Sequence, residues 1–450
     1  MAVVLGIVIG AGIFRSPQMV AANTGTPWLM LVAWGLGGFL CLCGALTYAE
    51  LASAYPKVGG EYVYLSRAFG RGVGFLFVWA RLTVIQTGAI AATAYVFGDY
   101  MQRRVSLGEH GPLLWALSAT VVLTVLNVVG LKASRWTQNI LTAVKVAGVG
   151  AIAVAGLLAS SPAVEAASAA ETDAAPAGFW SSLSAFGLAM VFVLWAYGGW
   201  NEAAYVAGEL KRERRGVLWL FLGSILLLTV LYGAANLAYL RGLGIQGMAT
   251  SNAVAADAML GAVGHHAATA VTVLVAIAAL GGVHGTIFTG ARAICGLGED
   301  FRPLQWLGRW DARLGTPLVA LLVQGTIAAG LICLPALSRG VGSGFEAAVQ
   351  YTAPVYWLFI LLTGLSVFVL RAREPRVSRP FRVPLGLLTV PLFCLMCGFL
   401  VYSSVDYAVH SLRDAEAATQ AGALVGLAVL VLGVPVYLVF RGRRGRPGET

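Results

Sequence analysis

The sequence predicts an all-α polytopic membrane protein with twelve transmembrane helices. Of its 450 residues, 58% are hydrophobic and 11% are charged, a balance that excludes an ordinary soluble globular domain. Apolar runs of about 20 residues recur along the chain, each long enough to cross a bilayer core of about 30 Å. Two of these runs are interrupted by glycine-rich motifs, which points to broken membrane helices.

The apolar segments follow one another with short polar connections. They cover residues 2–22, 28–49, 75–97, 112–129, 136–159, 179–210, 217–240, 267–296, 317–334, 345–370, 384–405 and 421–440. Segment one is interrupted at residues 10–14 and segment six at residues 196–202. No sizeable soluble domain is left between them.

The Lys and Arg side chains of the loops predict the orientation. About 21 lie in one set of alternate loops and the C-terminal tail, against about 5 in the other set, and cytoplasmic loops carry such an excess. We therefore expect both termini to be cytoplasmic in a protein of the inner (plasma) membrane. The net charge of +10 is a topology signal, and no nucleic-acid partner is expected.

The first interruption is Gly10-Ala11-Gly12-Ile13-Phe14. A glycine costs a helix about 1 kcal/mol relative to alanine. Exposed backbone inside a bilayer is tolerated only where it lines a cavity or is buried in protein. The motif therefore predicts a break near the membrane midplane, with free amide and carbonyl groups facing a small solute.

The second interruption, Ala196–Glu202, contains Gly198 and Gly199. Segments one and six enter the membrane from opposite sides, because five crossings separate them. Two broken helices at matching positions indicate an inverted five-plus-five repeat with a central site. The repeats would be residues 1–160 and 179–371, followed by segments eleven and twelve at 380–441 and a basic tail at 442–450.

Such breaks suit a zwitterion. The N-terminus of a half-helix offers unpaired N–H groups and a partial positive charge to a carboxylate, and the C-terminus of the preceding half-helix offers carbonyls to an ammonium group. The alternative is two kinked helices without a ligand, since glycine-rich helix packing is common in membranes.

Several ionisable residues lie within the apolar segments. Lys145 is predicted at the depth of the first break, which makes it a functional candidate; the alternative is a lysine that snorkels to the interface. His284 is either a proton relay or a packing residue. Arg81 either pairs with an acidic residue or reaches the cytoplasmic face, and we favour the second interpretation. We expect Glu50 and Glu61 to contact inner arginines.

The six cysteines lie in or at the ends of predicted helices, where they suit packing. Cys394-x-x-Cys397 has no His or acidic neighbours nearby. A membrane enzyme would need a cluster of nucleophile, base or metal ligands, and the sequence contains no such constellation. We therefore expect no cofactor, no metal site and no enzymatic activity.

The motif Gly6-x-x-Ile9-Gly10-Ala11-Gly12-Ile13-Phe14 resembles the first-helix signature of the amino acid–polyamine–organocation superfamily. Further motifs similar to that superfamily are Glu50-Leu51, residues 55–62, residues 196–201 with Gly208-Glu209, residues 291–303 and residues 379–383. Together they resemble the L-type amino acid transporters and their bacterial relatives over nearly the whole chain. One departure is the loop after Gly208-Glu209, which here lacks a proline.

This resemblance implies the leucine-transporter fold, alternating access and a substrate site at the two breaks. The implied substrate-binding residues are Val8, Ile9, Gly10, Ala11, Gly12, Ile13, Trp195, Tyr197, Gly198, Gly199 and Asn201. Ala11, Gly12 and Ile13 would meet the substrate carboxylate; Val8, Trp195 and Gly198 would meet the amine. Trp195 would also close over the substrate, and Lys145 would replace a sodium ion by bridging segments one, five and eight.

The implied function is sodium-independent transport of neutral L-amino acids across the lipid bilayer, by exchange or by proton-coupled uptake. A cationic amino acid or polyamine antiporter becomes credible if Glu202 faces the pocket. The sequence is also compatible with a sodium-coupled symporter of the same fold, a channel or a solute-binding receptor. The outer loop at residues 98–111 lacks cysteine, so we expect no disulfide-linked heavy subunit.

Overall fold

The computed structural model describes residues 9–56, 59–129, 135–158, 179–201, 214–300, 304–311, 313–337, 344–411 and 422–442. Regular structure in these ranges is helical, apart from one isolated β-bridge between Asp311 and Thr316. The predicted all-α class is therefore confirmed for the described part of the chain.

The helices are numbered here in chain order. They are α1 (Gly12–Thr24), α2 (Pro27–Ala54), α3 (Glu61–Phe69), α4 (Arg71–Ala80), α5 (Gln86–Arg104), α6 (Gly111–Val129), α7 (Arg135–Leu158), α8 (Phe179–Ala196), α9 (Arg214–Thr250), α10 (Val254–Ala262), α11 (His265–Asp300), α12 (Leu318–Cys333), α13 (Gly344–Arg373), α14 (Gly386–Ser411) and α15 (Gly422–Gly442). Helix α9 bends at Gly244, whose φ of 65° lies in the left-handed region.

Eight helical stretches in the described chain are long and apolar enough to cross a membrane. They are Pro27–Ala54, Arg71–Arg104, Gly111–Val129, Phe221–Thr250, His265–Cys295, Gly344–Arg373, Gly386–Val409 and Gly422–Val439. Shorter apolar helices cover Ala143–Leu158, Ser182–Ala196 and Leu318–Cys333. The chain is thus a polytopic helical membrane protein, whereas the total of twelve crossings remains a prediction.

The third predicted segment forms one continuous span. Helices α4 and α5 are joined by a π-helical turn at Arg81–Ile85, so the span runs without interruption from Arg71 to Arg104. A π turn inserts an extra residue into the α-helical register and is frequent at functional sites. It begins at Arg81, the charged residue that the sequence places inside this span.

Small residues let α2 lie close to its neighbours. A Cβ atom added to Gly37 would meet Val193 of α8 at 2.3 Å, and one added to Gly38 would meet Thr229 of α9 at 2.1 Å. Close backbone approach of this kind is the usual basis of helix packing in membranes. Helix α2 therefore fixes the position of α8, whose C-terminal end forms part of the candidate site.

Candidate functional site

The first glycine motif lies at the start of α1. Residues 9–11 are not helical, and α1 begins at Gly12. Ile9 and Ala11 are buried. Val8, the predicted carbonyl donor to a substrate amine, lies outside the described residues. The helix therefore starts inside the motif that predicts an interruption.

The start of α1 has no side-chain cap among the described residues. Its N-cap residue is Ala11, which has no polar side chain; the carbonyl of Ala11 accepts a hydrogen bond from the Phe14 N–H at 3.2 Å. The first N–H groups of a helix have no intrahelical partner. The uncapped terminus presents the amides of Gly12 and Ile13 as donors, with a partial positive charge behind them.

The second glycine motif lies where α8 ends. Helix α8 stops at Ala196, and Tyr197–Gly199 form a turn in which Gly199 has a φ of 98°. Only glycine adopts this conformation readily. The Gly198 N–H donates to the Trp195 carbonyl at 3.0 Å, which closes the turn. Asn201 is helical again, and Glu202 lies outside the described residues.

The two motifs touch each other. A Cβ atom on Gly12 would lie 2.6 Å from the Cα of Ala196, 3.0 Å from its Cβ and 3.2 Å from the Cε3 of Trp195. Such a contact distance is far below that of two non-bonded carbons. The start of α1 and the end of α8, distant in sequence, therefore lie backbone against backbone.

Aromatic side chains surround this contact. Trp195 packs edge-on against Phe345 of α13, with ring centroids 5.2 Å apart. The Tyr197 ring lies 5.9 Å from Trp34 and 5.0 Å from Tyr232, and its hydroxyl donates to the Trp34 carbonyl at 3.2 Å. The Tyr197 side chain is thus engaged with α2 and α9, while its backbone belongs to the turn.

A buried ion pair next to the first motif was not predicted from the sequence. Arg15, one turn into α1, is fully buried; its Nε donates to Oδ2 of Asp99 in α5 at 2.9 Å, and its Nη2 donates to Oδ1 of Asn252 at 3.0 Å. Its guanidinium also lies 5.6 Å from the Phe345 ring centroid. The available signal was an ionisable residue inside an apolar segment, which marks a functional candidate.

A second polar cluster lies beside Asn201. The Asn201 amide donates to Oε1 of Glu61 at 3.0 Å, and the Tyr48 hydroxyl donates to the same oxygen at 3.4 Å. Oε2 of Glu61 lies 3.8 Å from Nη1 of Arg81. Arg81 thus lies within ion-pair distance of an acidic residue, as one of its two interpretations predicted, and Glu61 contacts an arginine as expected.

The other predicted inner contact is present. Arg371 at the end of α13 donates two hydrogen bonds to Glu50, at 2.7 and 2.8 Å. Glu50 also accepts the backbone N–H of Val383 at 2.8 Å. The pair ties α2 to α13 and to the segment that precedes α14.

Lys145 is 8% exposed in the middle of α7. It makes no hydrogen bond or ion pair with any described residue. Lys145 was predicted to contact the first segment, and residues 1–8 of that segment lie outside the described ranges. Helix α7 packs tightly on α11, since a Cβ on Gly148 would lie 2.2 Å from Leu274. His284 of α11 is half-buried, with Nδ1 2.9 Å from the amide of Asn127, which favours the packing interpretation.

The described residues contain no group of three His, Cys, Asp or Glu side chains able to hold a metal ion. Cys394 and Cys397 are buried free thiols. The candidate site is therefore built from backbone termini, aromatic rings and buried ion pairs.

Comparison with known proteins places the chain in a family. A family model described as amino acid permease matches residues 1–433. The chain is similar to the b(0,+)-type amino acid transporter 1 of Mus musculus, with 31% identity over 90% of this chain and 82% of the relative. It is 30% identical to the large neutral amino acids transporter small subunit 2 of Homo sapiens, over 97% of this chain and 78% of the relative.

The cystine/glutamate transporter of Homo sapiens is 29% identical over 97% of this chain and 83% of that protein. All of these relatives are amino acid transporters by name, and none is an enzyme. The match extends from the first glycine motif to α15. The chain belongs to the amino acid permease family of membrane transporters.

Proposed function

We propose that this protein is a sodium-independent secondary transporter that moves neutral L-amino acids by alternating access, through exchange or proton-coupled uptake. The observation that carries the proposal is the uncapped N-terminus of α1 lying against the C-terminal end of α8. One helix end offers amides to a carboxylate and the other offers carbonyls to an ammonium group. These are the two groups that every α-amino acid shares.

In this proposal the substrate carboxylate meets the N–H groups of Ala11, Gly12 and Ile13. The amine meets carbonyls of Val8, Trp195 and Gly198. Ile9, Gly10, Tyr197 and Gly199 complete the backbone around the substrate, and Asn201 borders it on the inner side. Trp195 closes the outer side, supported by its edge-on contact with Phe345.

A neutral substrate side chain is favoured by the composition of the two glycine motifs. Neither residues 10–14 nor residues 196–201 contain an acidic or basic residue, although the acidic Glu202 is adjacent. One relative is named for large neutral amino acids, whereas another is named for cystine and glutamate. A charged substrate would need a counter-charge. Among the described residues, the charged side chains beside the two motifs, on Arg15 and Glu61, have partners, and Glu202 lies outside the described residues.

Sodium independence rests on Lys145. Its ammonium group is buried in α7, and a buried cation needs acceptors. Carbonyls freed by the break in the first segment would supply them. A fixed ammonium group there takes the electrostatic role of a bound cation, bridging segments one, five and eight.

The proposed architecture has twelve crossings in the leucine-transporter fold. Residues 1–160 and 179–371 form the two inverted repeats, 380–441 the last two crossings, and 442–450 a cytoplasmic tail. Both termini face the cytoplasm in the plasma membrane. We further propose that no disulfide-linked heavy subunit is bound through residues 98–111, which form the end of α5 and its connection to α6 and lack cysteine, although one relative is named a small subunit.

Counterflow in proteoliposomes tests the proposal. Purified protein is reconstituted, loaded with or without unlabelled neutral amino acid, and given labelled leucine or alanine with sodium or a sodium-free buffer. Saturable uptake that internal amino acid stimulates, equally in both buffers, is the result expected of an exchanger; stimulation by an inward proton gradient is expected of a symporter. A strict sodium requirement, or uptake of lysine and putrescine only, would overturn it, and unsaturable flux would indicate a channel.

A further inference from the structure

We propose that the span formed by α4, the π turn and α5 carries two positioning residues, Arg81 and Asp99, that hold the chain beyond each break and release it alternately during transport. The inference rests on the alternating access proposed above, and not on which amino acid is carried. It concerns residues that lie outside the predicted substrate site.

The two residues lie far apart on one continuous helix. They are 18 residues apart, or roughly 27 Å at 1.5 Å per residue. Asp99 lies shortly before the end of the span at Arg104, and Arg81 opens the π turn that follows α4. A rigid span of this length reaches from one side of the two breaks to the other.

The outer contact holds α1. Asp99 accepts a hydrogen bond from Arg15 at 2.9 Å, and the neighbouring Tyr100 hydroxyl donates to the Phe14 carbonyl at 2.9 Å. Both partners lie in the first turn of α1, directly after Gly12. Arg15 also binds Asn252, in the connection between α9 and α10. Moving α1 away from α5 therefore requires this ion pair to break.

The inner contact holds the chain that follows the second break. Arg81 lies 3.8 Å from Glu61 of α3, and Glu61 accepts a hydrogen bond from Asn201 at 3.0 Å. Trp200, beside Asn201, packs edge-on against Tyr48 with centroids 5.0 Å apart. Glu61 thus links the span to the chain just beyond Gly199.

The energetics of ion pairs that are buried or largely buried suit contacts that open and close; the side chains of Arg15 and Asp99 are 0% and 8% exposed, and those of Arg81 and Glu61 are 18% and 4% exposed. Desolvation offsets most of the Coulomb attraction in a buried pair, so a closed pair is only slightly favoured over two hydrated charges. Opening a pathway to water on one side rehydrates both charges of the pair on that side. Both contacts are made in this structure, so the span holds both broken segments at once.

Removing one contact should therefore favour opening on its own side. Asp99→Asn weakens the outer contact and favours outward-facing forms; Arg81→Gln weakens the inner contact and favours inward-facing forms. The ratio of the external to the internal half-saturation concentration should fall in Asp99→Asn and rise in Arg81→Gln. A shift of about threefold or more in opposite directions is expected from a modest change in a two-state population.

Two ion pairs provide matched controls. Asp257 pairs with Arg103 of the same span but belongs to α10 rather than α1. Glu374 pairs with Arg67 of α3, away from Asn201. Asp257→Asn and Glu374→Gln each remove one charge without touching a broken segment, so the half-saturation ratio should stay within about twofold of wild type.

The half-saturation concentrations are measured with full-length protein in oriented proteoliposomes. Hydrogen exchange of the detergent-solubilised protein is measured in parallel without substrate. Faster exchange in α1 for Asp99→Asn, and in residues 61–69 for Arg81→Gln, supports the proposal. Shifts in the same direction, or equal shifts in the controls, overturn it. If Asp99→Asn does not fold, Asp99→Glu and Arg15→Lys lengthen or weaken the same contact. If the protein carries no neutral amino acid but the two variants still speed hydrogen exchange in α1 and in residues 61–69 respectively, the proposed substrate is rejected and this inference stands.

Discussion

Gly12 of α1 and Ala196 of α8 lie so close that a Cβ atom on residue 12 would be 2.6 Å from the Cα of Ala196. The contact joins two glycine motifs that are far apart in the sequence. It brings the donor end of one helix next to the acceptor end of another. A site that binds its ligand through the N–H groups of one helix end and the carbonyls of another depends on this approach, because those backbone groups are positioned by the helices alone.

The first prediction concerns this contact. Gly12→Ala should lower uptake by about tenfold or more, because the added methyl group pushes backbone away from backbone, and displacements near 1 Å can cost a site about a hundredfold. Gly398→Ala in α14 is the matched control, since a Cβ there meets nothing within 4 Å. Initial uptake rates at equal reconstituted protein measure both. Wild-type rates in Gly12→Ala would contradict the close approach.

The second prediction concerns the Arg15–Asp99 ion pair. Removing one partner leaves an uncompensated buried charge, which costs about 3–5 kcal/mol. Arg15→Met and Asp99→Leu should each lower the thermal unfolding midpoint strongly. The double variant should be more stable than either single variant, because no charge is left buried.

The check is a double-mutant cycle of apparent unfolding midpoints in detergent. If the effects of the two substitutions simply add, the charges are not coupled. Transport should stay impaired in the double variant even when its stability recovers, since an apolar contact does not favour opening to water.

The third prediction concerns Lys145. Lys145→Met keeps much of the side-chain volume and removes the charge, so exchange should fall about tenfold or more while the protein still inserts and purifies normally. Arg292→Met is the control, because Arg292 is an exposed residue of α11 stacked on Phe288. Labelled amino acid counterflow provides the readout. Full activity in Lys145→Met would rule out the cation role.

The fourth prediction concerns pH and the ion pair of Arg67 and Glu374. Hydrogen bonds from Arg67 lower the pKa of Glu374, so the folded protein binds this proton less readily than the unfolded chain. The pair therefore stabilises the fold above the ordinary pKa of a glutamate and loses that effect as the pH falls through the lowered value. Both side chains are partly exposed, so the contribution is about 0.5 kcal/mol.

Thermal unfolding of wild type and Glu374→Gln, compared from neutral to acidic pH, tests this assignment. The variant should be slightly less stable at neutral pH, and the difference should disappear in acid. A difference that persists unchanged at low pH would mean that Glu374 acts through packing rather than charge.

Hydrophobic runs predicted the all-helical membrane class that the described chain shows. Eight helical stretches in the described chain have the length and apolarity to span a membrane, as expected when a bilayer demands about 20 apolar residues. The predicted segments 28–49 and 75–97 were shorter than the helical stretches Pro27–Ala54 and Arg71–Arg104. Polar and aromatic residues at their ends, such as Glu50 and Tyr100, continue the helix because they have partners in the folded protein.

The candidate site was predicted only in its backbone. Glycine spacing located the start of α1 and the end of α8, because glycine acts through local conformation. It did not indicate Asp99, whose importance depends on residues far away in the chain. Glu61 was expected to contact an arginine, but the sequence did not identify Arg81 as that arginine, because the residues around each of the two do not show how close they lie in the folded protein.

The sequence by itself determined the membrane class, the helical segments and the positions of the two glycine motifs, since hydropathy and backbone propensity act over a few residues. Only the tertiary structure decided which groups meet. It placed Gly12 against Ala196, paired Arg15 with Asp99 and put Glu61 between Arg81 and Asn201. Side-chain pairing inside a membrane protein depends on how its helices pack. That packing depends jointly on small residues of many helices, which allow the helices to approach closely.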